Sequence, residues 1–285
     1  MIRLDAATVL LQWATGGLLF LWVTTRRREV GIGYGWLLRG VYGAIAAGAL
    51  VAGVVLQPVP VRDVASALVV VATCVALVVS IVRRRAGVSG ERADDTRRSA
   101  RVAAMTGIER EVATRVTVGR EFPPALDLAA PALGAVGLVA AALDAAHGRP
   151  LVALLRTLVG AAFLGVVTDA MLLGHWYLVQ PGLARTALLD LVRWTAWLWP
   201  FEVAALLLPT GMASVWSGAI DDGYNGILGW TWAVCAITTI GLCVVTRAAL
   251  KERQYAAVMA ATGLLYLAIL MAFGTDLIAR AVLAS

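Results

Sequence analysis

Long apolar runs dominate this 285-residue sequence. Eight of them, each of about 18–29 residues, cover 6–23, 36–56, 64–82, 125–146, 151–178, 187–208, 224–245 and 255–283. A helix needs about 20 apolar residues to cross a bilayer, and continuous runs favour helices over the alternating strands of a barrel. With 60 % hydrophobic residues and a mean hydropathy of +0.82, the runs predict an all-α, polytopic membrane bundle of eight transmembrane helices.

The basic residues predict the orientation of this bundle. If the N-terminus lies outside, 17 Lys and Arg fall in inner loops and 3 (Arg3, Arg62 and Arg149) fall in outer segments. Arg26, Arg27 and Arg28 follow the first run, which indicates a retained span rather than a cleaved signal. Because cytoplasmic loops are enriched in basic residues, we expect both termini outside a bacterial cytoplasmic membrane. This distribution accounts for the net charge of +6 without a nucleic-acid partner.

One long basic loop divides the chain. Three spans lie in 1–82, the cytoplasmic loop covers 83–124, and five spans lie in 125–285. Within the loop, apolar residues recur at helical spacing, at Val102, Met105, Ile108, Val112 and Val116. This stripe predicts an amphipathic helix on the inner leaflet, and a docking site for a partner subunit is the alternative use of the same stripe.

Several chemistries have no support in the sequence. The three cysteines fall in apolar runs without a C-x-x-C pattern, so neither a disulfide framework nor a thiolate metal site is expected. The two histidines, His147 and His175, belong to opposite ends of the predicted bundle, which argues against a bis-His haem. No P-loop, H-E-x-x-H or G-x-S-x-G motif occurs, and no self-contained catalytic site is predicted.

Ionisable residues inside the spans form two predicted layers. Such residues are costly in lipid and often functional. The outer layer comprises Arg156, Glu202, Asp276 and Arg280, and the first three lie roughly 10 Å below the outer boundary at 1.5 Å per residue. One interpretation is an ion-pair network that holds three helices in register. The other makes Glu202 a protonatable group on a proton or substrate path.

The inner layer is aromatic as well as charged. Its predicted ligand-binding residues are Asp169, His175, Trp176, Tyr177, Asp190, Arg193 and Trp197. Seven-residue spacing puts Asp169 and Trp176 on one helix face, while Asp190 and Arg193 could pair with each other or reach Asp169 and His175. The residues are typical of an interfacial aromatic belt with a snorkelling arginine. Alternatively, Asp169 and His175 are the proton donors of a quinone or small-ligand site.

Two functional hypotheses follow. The leading one is a membrane subunit of a larger respiratory complex, with a quinone or lipid in the inner half and a role in assembly or proton movement. Its partners would be membrane lipids and other subunits, the latter through the 83–124 loop. The alternative is a proton-coupled transporter of a small solute, in which Glu202 is the coupling acid and Arg156 or Arg280 binds an anion.

Overall fold

The computed structural model describes residues 4–89, 96, 120–177, 179–180, 183–207, 211–252 and 254–284. These residues form helices and no strand, as predicted. Eight of the helices are long: α1 (Ala6–Thr25), α2 (Ile32–Leu56), α3 (Pro60–Val82), α4 (Ala129–Asp144), α5 (Pro150–Trp176), α6 (Thr186–Leu207), α7 (Ile227–Ala249) and α8 (Tyr255–Leu283). Two 3-10 turns, Arg84–Ala86 and Pro124–Leu128, and one helical turn, Ala213–Trp216, lie between them.

Local sequence sets where several of these helices begin. The Asp5 side chain accepts the backbone N–H groups of Ala7 and Thr8 at 3.1 and 3.3 Å and thereby caps α1. Pro60 and Pro150 are the first residues of α3 and α5, where a missing N–H costs nothing because that group has no partner within the helix.

Seven of the eight long helices in the described ranges are long and apolar enough to cross a membrane, α4 when it is taken together with the 3-10 turn that precedes it, as Pro124–Asp144. The exception is α6, whose 22 residues include three ionisable ones, Asp190, Arg193 and Glu202. Outward faces of the other helices carry exposed apolar side chains such as Val78 and Ile237. The prediction of a polytopic helical membrane bundle is confirmed, with seven spans supported by composition and α6 as the charged eighth helix.

The central helices are α1 and α5. Helix α1 packs against α2, α4 and α5, and α5 also packs against α4, α6 and α8. A Cβ atom at Gly16 of α1 or at Gly165 of α5 would overlap the backbone of the other helix. Their backbones are therefore in direct contact, the close packing that small residues allow in lipid.

Successive helices alternate in direction, so the connections gather at two ends. The termini end holds Asp5, Asp144 and Arg280, which line one common cavity. The loop end holds the opposite connections, where Arg185 donates hydrogen bonds to the backbone oxygens of Leu250 and Gln254 at 3.2 and 3.0 Å. Both termini thus lie at the same end, and the prediction that this end faces outside stays a prediction.

The long loop is described only at its two edges. Arg28 Nη1 donates to Glu121 Oε2 at 2.7 Å, and Arg83 Nη1 donates to the backbone oxygen of Glu121 at 3.1 Å. These contacts fix the end of the loop to the α1–α2 connection and to α3. The predicted amphipathic helix at 102–116 lies outside the described residues.

Candidate functional site

Four of the ionisable side chains that are buried in the half of the bundle near the termini end belong to α5, α6 and α8. They are Arg156 of α5, Glu202 of α6, and Asp276 and Arg280 of α8, and each is at most 1 % exposed. Gln12 of α1 is fully buried with them. We call these five residues the buried carboxyl cluster. The structure brings Glu202, Asp276 and Arg280 of the predicted outer layer together with a glutamine that the sequence reasoning missed, while Arg156 contacts α6 one turn beyond Glu202.

A chain of hydrogen bonds links three helices of the cluster. Arg280 Nε donates to Asp276 Oδ2 at 2.7 Å, the pair that their i,i+4 spacing predicts. A terminal nitrogen of Arg280 donates to Gln12 Oε1, and Gln12 Nε2 donates to the backbone oxygen of Thr157 at 2.8 Å. The Arg280 guanidinium is therefore held between α8 and α1, and α1 is tied to α5.

Gly160 of α5 is the point on which the cluster converges. A Cβ atom placed there would lie 2.9 Å from Gln12 Nε2, 3.3 Å from Asp276 Oδ1 and 3.7 Å from Glu202 Oε1. Polar groups from α1, α6 and α8 thus surround one residue of α5. The absence of a side chain at Gly160 is what gives these groups their room.

Five polar atoms of the cluster are buried and have no hydrogen-bond partner in the part of the chain that the structure describes. They are both carboxyl oxygens of Glu202, Oδ1 of Asp276, and Nη1 and Nη2 of Arg156. Arg156 is held only through Nε, which donates to the backbone oxygen of Ala205 at 2.9 Å, one turn beyond Glu202. Leaving buried polar groups unpaired is costly, so a buried acid and a buried base with free hydrogen-bonding capacity point to a ligand or proton site.

The shape of α6 contributes to this site. Pro200 lies inside the helix, two residues before Glu202, and has no N–H to complete the helical hydrogen bond. Next to it, Trp199 Nε1 donates to the backbone oxygen of Ala236 in α7 at 2.8 Å. The interrupted helix is thus anchored to its neighbour beside the acid.

A small polar cavity lies between the cluster and the termini end. It is lined by Arg280 and Thr157 on the cluster side and by Asp5 and Arg62 on the outer side. Its volume of about 20 Å³ exceeds the roughly 10–15 Å³ that one water molecule needs. Arg62 forms ion pairs with Asp5 and with Asp63. The sequence count assigned Arg62 to an outer loop, but the structure places it in α3 with 1 % exposure.

Asp169 lies deeper in the bundle and faces α2. The Tyr42 hydroxyl donates to its Oδ1, and its Oδ2 has no partner among the residues that are described. The Tyr34 hydroxyl lies 3.5 Å from the backbone oxygen of Asp169, and the Tyr34 ring centroid lies 5.9 Å from that of Trp176. Asp169 and Trp176 therefore share the face that their spacing predicts. The two tyrosines were missed because nothing in the sequence relates α2 to α5.

The structure does not bring His175 to Asp169. His175 is exposed, and its Nδ1 lies 3.5 Å from the Tyr266 hydroxyl of α8, whereas Asp169 faces α2. Tyr177 is buried and donates its hydroxyl to the backbone oxygen of Ala184 at 2.7 Å. The predicted inner layer is thus spread over different faces of α5, because a six-residue separation rotates a side chain by about a third of a turn.

Three other predicted residues line one groove at the loop end. Asp190, Arg193 and Trp197 of α6 lie together with Trp194, and opposite them are Arg26 and Arg27 at the end of α1; we call these six residues the interfacial groove. Its volume is about 390 Å³. Asp190 forms an ion pair with Arg27 of the α1–α2 connection, a partner that the sequence reasoning did not name.

Sequence reasoning also missed a buried ion pair near the loop end. Arg39 of α2 donates from Nε and from one terminal nitrogen to the two carboxyl oxygens of Asp127 at 2.8 and 2.7 Å. Its other terminal nitrogen lies 3.2 Å from Ser80 Oγ, and its guanidinium lies 4.3 Å from the Phe122 ring centroid. The available signal was Arg39 itself, an arginine inside an apolar run that requires an acid at the same depth.

In the part of the chain that the structure describes, no three metal-ligating side chains are placed to hold a metal ion. Comparison with protein-family models, with curated proteins and with solved structures finds no match to this chain.

Proposed function

We propose that the chain is a proton-coupled transporter of a small anion in the bacterial cytoplasmic membrane. The observation that carries the proposal is the buried carboxyl cluster, in which Glu202 and Arg156 retain unused hydrogen-bonding atoms away from water. A purely structural ion pair would use those atoms, since an unpaired buried charge costs several kcal/mol, about 3–5 by mutational measurement. Arg156 instead reaches α6 through the backbone oxygen of Ala205, three residues beyond Glu202, and forms no ion pair with Glu202 among the described residues.

The roles of the groups follow from their partners. Arg280 is occupied by Asp276 and Gln12, so it is a positioning residue. Arg156 offers two free N–H-bearing nitrogens, the donor set that suits a carboxylate or a phosphate. Glu202 is the group that accepts and releases the proton.

Coupling arises because the two ligands favour each other's binding. An ionised Glu202 repels an anion that approaches Arg156, and protonation of Glu202 removes that repulsion. By thermodynamic linkage, the bound anion in turn favours the protonated acid. Proton and anion are therefore expected to bind and move together.

Access to the buried carboxyl cluster from the termini end is supported by the cavity that Arg280 and Thr157 line. This cavity has room for a bridging water. Towards the loop end, Asp169 with its hydrogen bond from Tyr42 is the next buried carboxyl group. It lies nine residues beyond Gly160 on α5, about 13 Å along the axis. Asp169 is the candidate second proton site on the way to the opposite face.

The test is uptake into liposomes that contain the purified chain alone. Labelled lactate, succinate and phosphate serve as probes, with a proton gradient directed inward. We expect uptake of at least one probe that depends on the gradient and is lost in Glu202→Gln and in Arg156→Gln. Glu252→Gln, an exposed acid at the loop end, is the matched control and should transport normally. Equal uptake by Glu202→Gln and wild type contradicts the proposal.

The hypothesis of a respiratory-complex subunit stays a prediction. Quinone reduction needs a proton donor near each carbonyl, and Asp169 and His175 lie on different faces of α5. The aromatic and charged interfacial groove is the remaining location for a flat ligand. Purification with redox subunits, attached through the 83–124 loop, would favour this hypothesis over a transporter that acts alone.

A further inference from the structure

The interfacial groove combines positive charge with exposed aromatic surface. Trp194 and Trp197 are 44 % and 62 % exposed, and the Phe20 ring packs edge-on against Trp194 with centroids 6.2 Å apart. Asp190, Arg193, Trp194 and Trp197 follow one another on a single face of α6, which extends about 10 Å along the helix axis. The groove thus has a charged part near the helix ends and an aromatic part deeper in the membrane.

The charges of the groove are not balanced. Arg27 is paired with Asp190, but Arg26 stacks on the Trp22 ring at 5.1 Å and forms no ion pair with a described residue. Arg193 forms no ion pair with any residue that the structure describes. Two guanidinium groups therefore remain for an anion.

We propose that the interfacial groove binds the phosphate head group of an anionic phospholipid, with the lipid tails along Trp194 and Trp197. Arginine pairs with phosphate through parallel N–H donors, and basic pockets between membrane helices bind anionic head groups. The aromatic wall favours a lipid over a soluble anion, since tryptophan side chains are preferred at the level of lipid head groups. The size is suitable, because about 390 Å³ lies within the roughly 300–1,000 Å³ of ligand sites.

This inference is independent of the proposed transport, because no residue of the interfacial groove belongs to the buried carboxyl cluster. The groove lies at the loop end, and the cluster lies in the half near the termini end. Loss of lipid binding would leave the transport proposal standing, and loss of transport would leave the lipid site standing.

The test is native mass spectrometry of the purified full chain in detergent, with phosphatidylglycerol and phosphatidylcholine of the same acyl chains. We expect phosphatidylglycerol to bind more tightly. In the double variant Arg26→Gln/Arg193→Gln its affinity should fall about 25-fold, roughly fivefold per arginine, while phosphatidylcholine binding stays the same. The matched control Arg84→Gln/Arg85→Gln removes the same charge at the same end, from exposed residues outside the groove, and should change affinity less than twofold.

Three results would overturn the proposal. Equal loss in both double variants means that lipid responds to the overall charge of the loop end. Unchanged affinity in Arg26→Gln/Arg193→Gln means that the groove is not the site. Competition by millimolar inorganic phosphate means that the groove takes a soluble anion. Thermal unfolding of each variant without lipid shows whether it is folded. If the double variant is not folded, the single variant Arg193→Gln takes its place, and its affinity for phosphatidylglycerol should fall about fivefold.

Discussion

Replacing Gly160 with alanine tests the geometry of the buried carboxyl cluster. The new methyl group would lie 2.9 Å from Gln12 Nε2 and 3.3 Å from Asp276 Oδ1, both closer than an ordinary van der Waals contact. Gln12 cannot move freely, because it donates to Thr157 at 2.8 Å and accepts from Arg280. Overpacking of this kind costs about 1–3 kcal/mol, while alanine regains about 1 kcal/mol of helix propensity over glycine. We expect a net loss of up to about 2 kcal/mol.

The assay is equilibrium unfolding in detergent micelles, with Gly263→Ala as the matched control. Gly263 is an exposed glycine of α8 whose Cβ position has no neighbour within 4 Å, so its alanine variant should be as stable as wild type or slightly more stable. If Gly160→Ala behaves like Gly263→Ala, the polar groups of α1 and α8 do not converge on Gly160. The same variant should transport more slowly, since the methyl group displaces the groups around Glu202.

Three further changes test other parts of the fold. Asp127→Asn leaves Arg39 buried without its carboxylate and should lower the free energy of unfolding in micelles by about 3–5 kcal/mol. Replacing both residues with apolar ones should restore stability. An unfolding midpoint of Asp127→Asn equal to that of the wild type would contradict the buried ion pair. Gly16→Ala should destabilise the α1–α5 contact, seen as a lower melting temperature than that of Gly40→Ala, whose position is open; equal melting temperatures would contradict the close crossing. Backbone N–H groups, above all that of Gly226, hold the pKa of Asp222 below its usual 3.8. Amide-exchange protection of this loop should therefore be full above pH 3.8 and fall as the pH drops through the lowered pKa. The variant Asp222→Asn should lack this acid dependence.

The fold could be predicted from the sequence because lipid restricts the choices of the chain. Apolar runs of sufficient length must be helices, and the observed helices match the predicted runs within a few residues, from Ala6–Thr25 to Tyr255–Leu283. The helix α6 was predicted from its length, but among the long helices of the described ranges it is the one that carries three Asp, Glu or Arg residues. These residues belong to two sites, the interfacial groove at the beginning of α6 and the buried carboxyl cluster near its end.

The partners of the buried charges could not be predicted. Spacing along one helix gave the Asp276–Arg280 pair, since i,i+4 neighbours share a face. Pairs between helices depend on which helices are adjacent and how they are rotated, and nothing in the sequence related Arg39 to Asp127 or Asp190 to Arg27. Gly160 was missed for the same reason, because its importance comes from groups on three other helices.

The most direct measurement of the central claim records proton and anion movement in the same liposomes. A pH-sensitive dye inside the vesicles reports proton entry while labelled anion uptake is measured under an inward pH gradient. If Glu202 carries the proton that accompanies the anion at Arg156, the vesicle interior acidifies in step with uptake in the wild type, and this acidification disappears in Glu202→Gln. Anion entry into wild-type vesicles without acidification, or the same acidification with Glu202→Gln, would contradict the account.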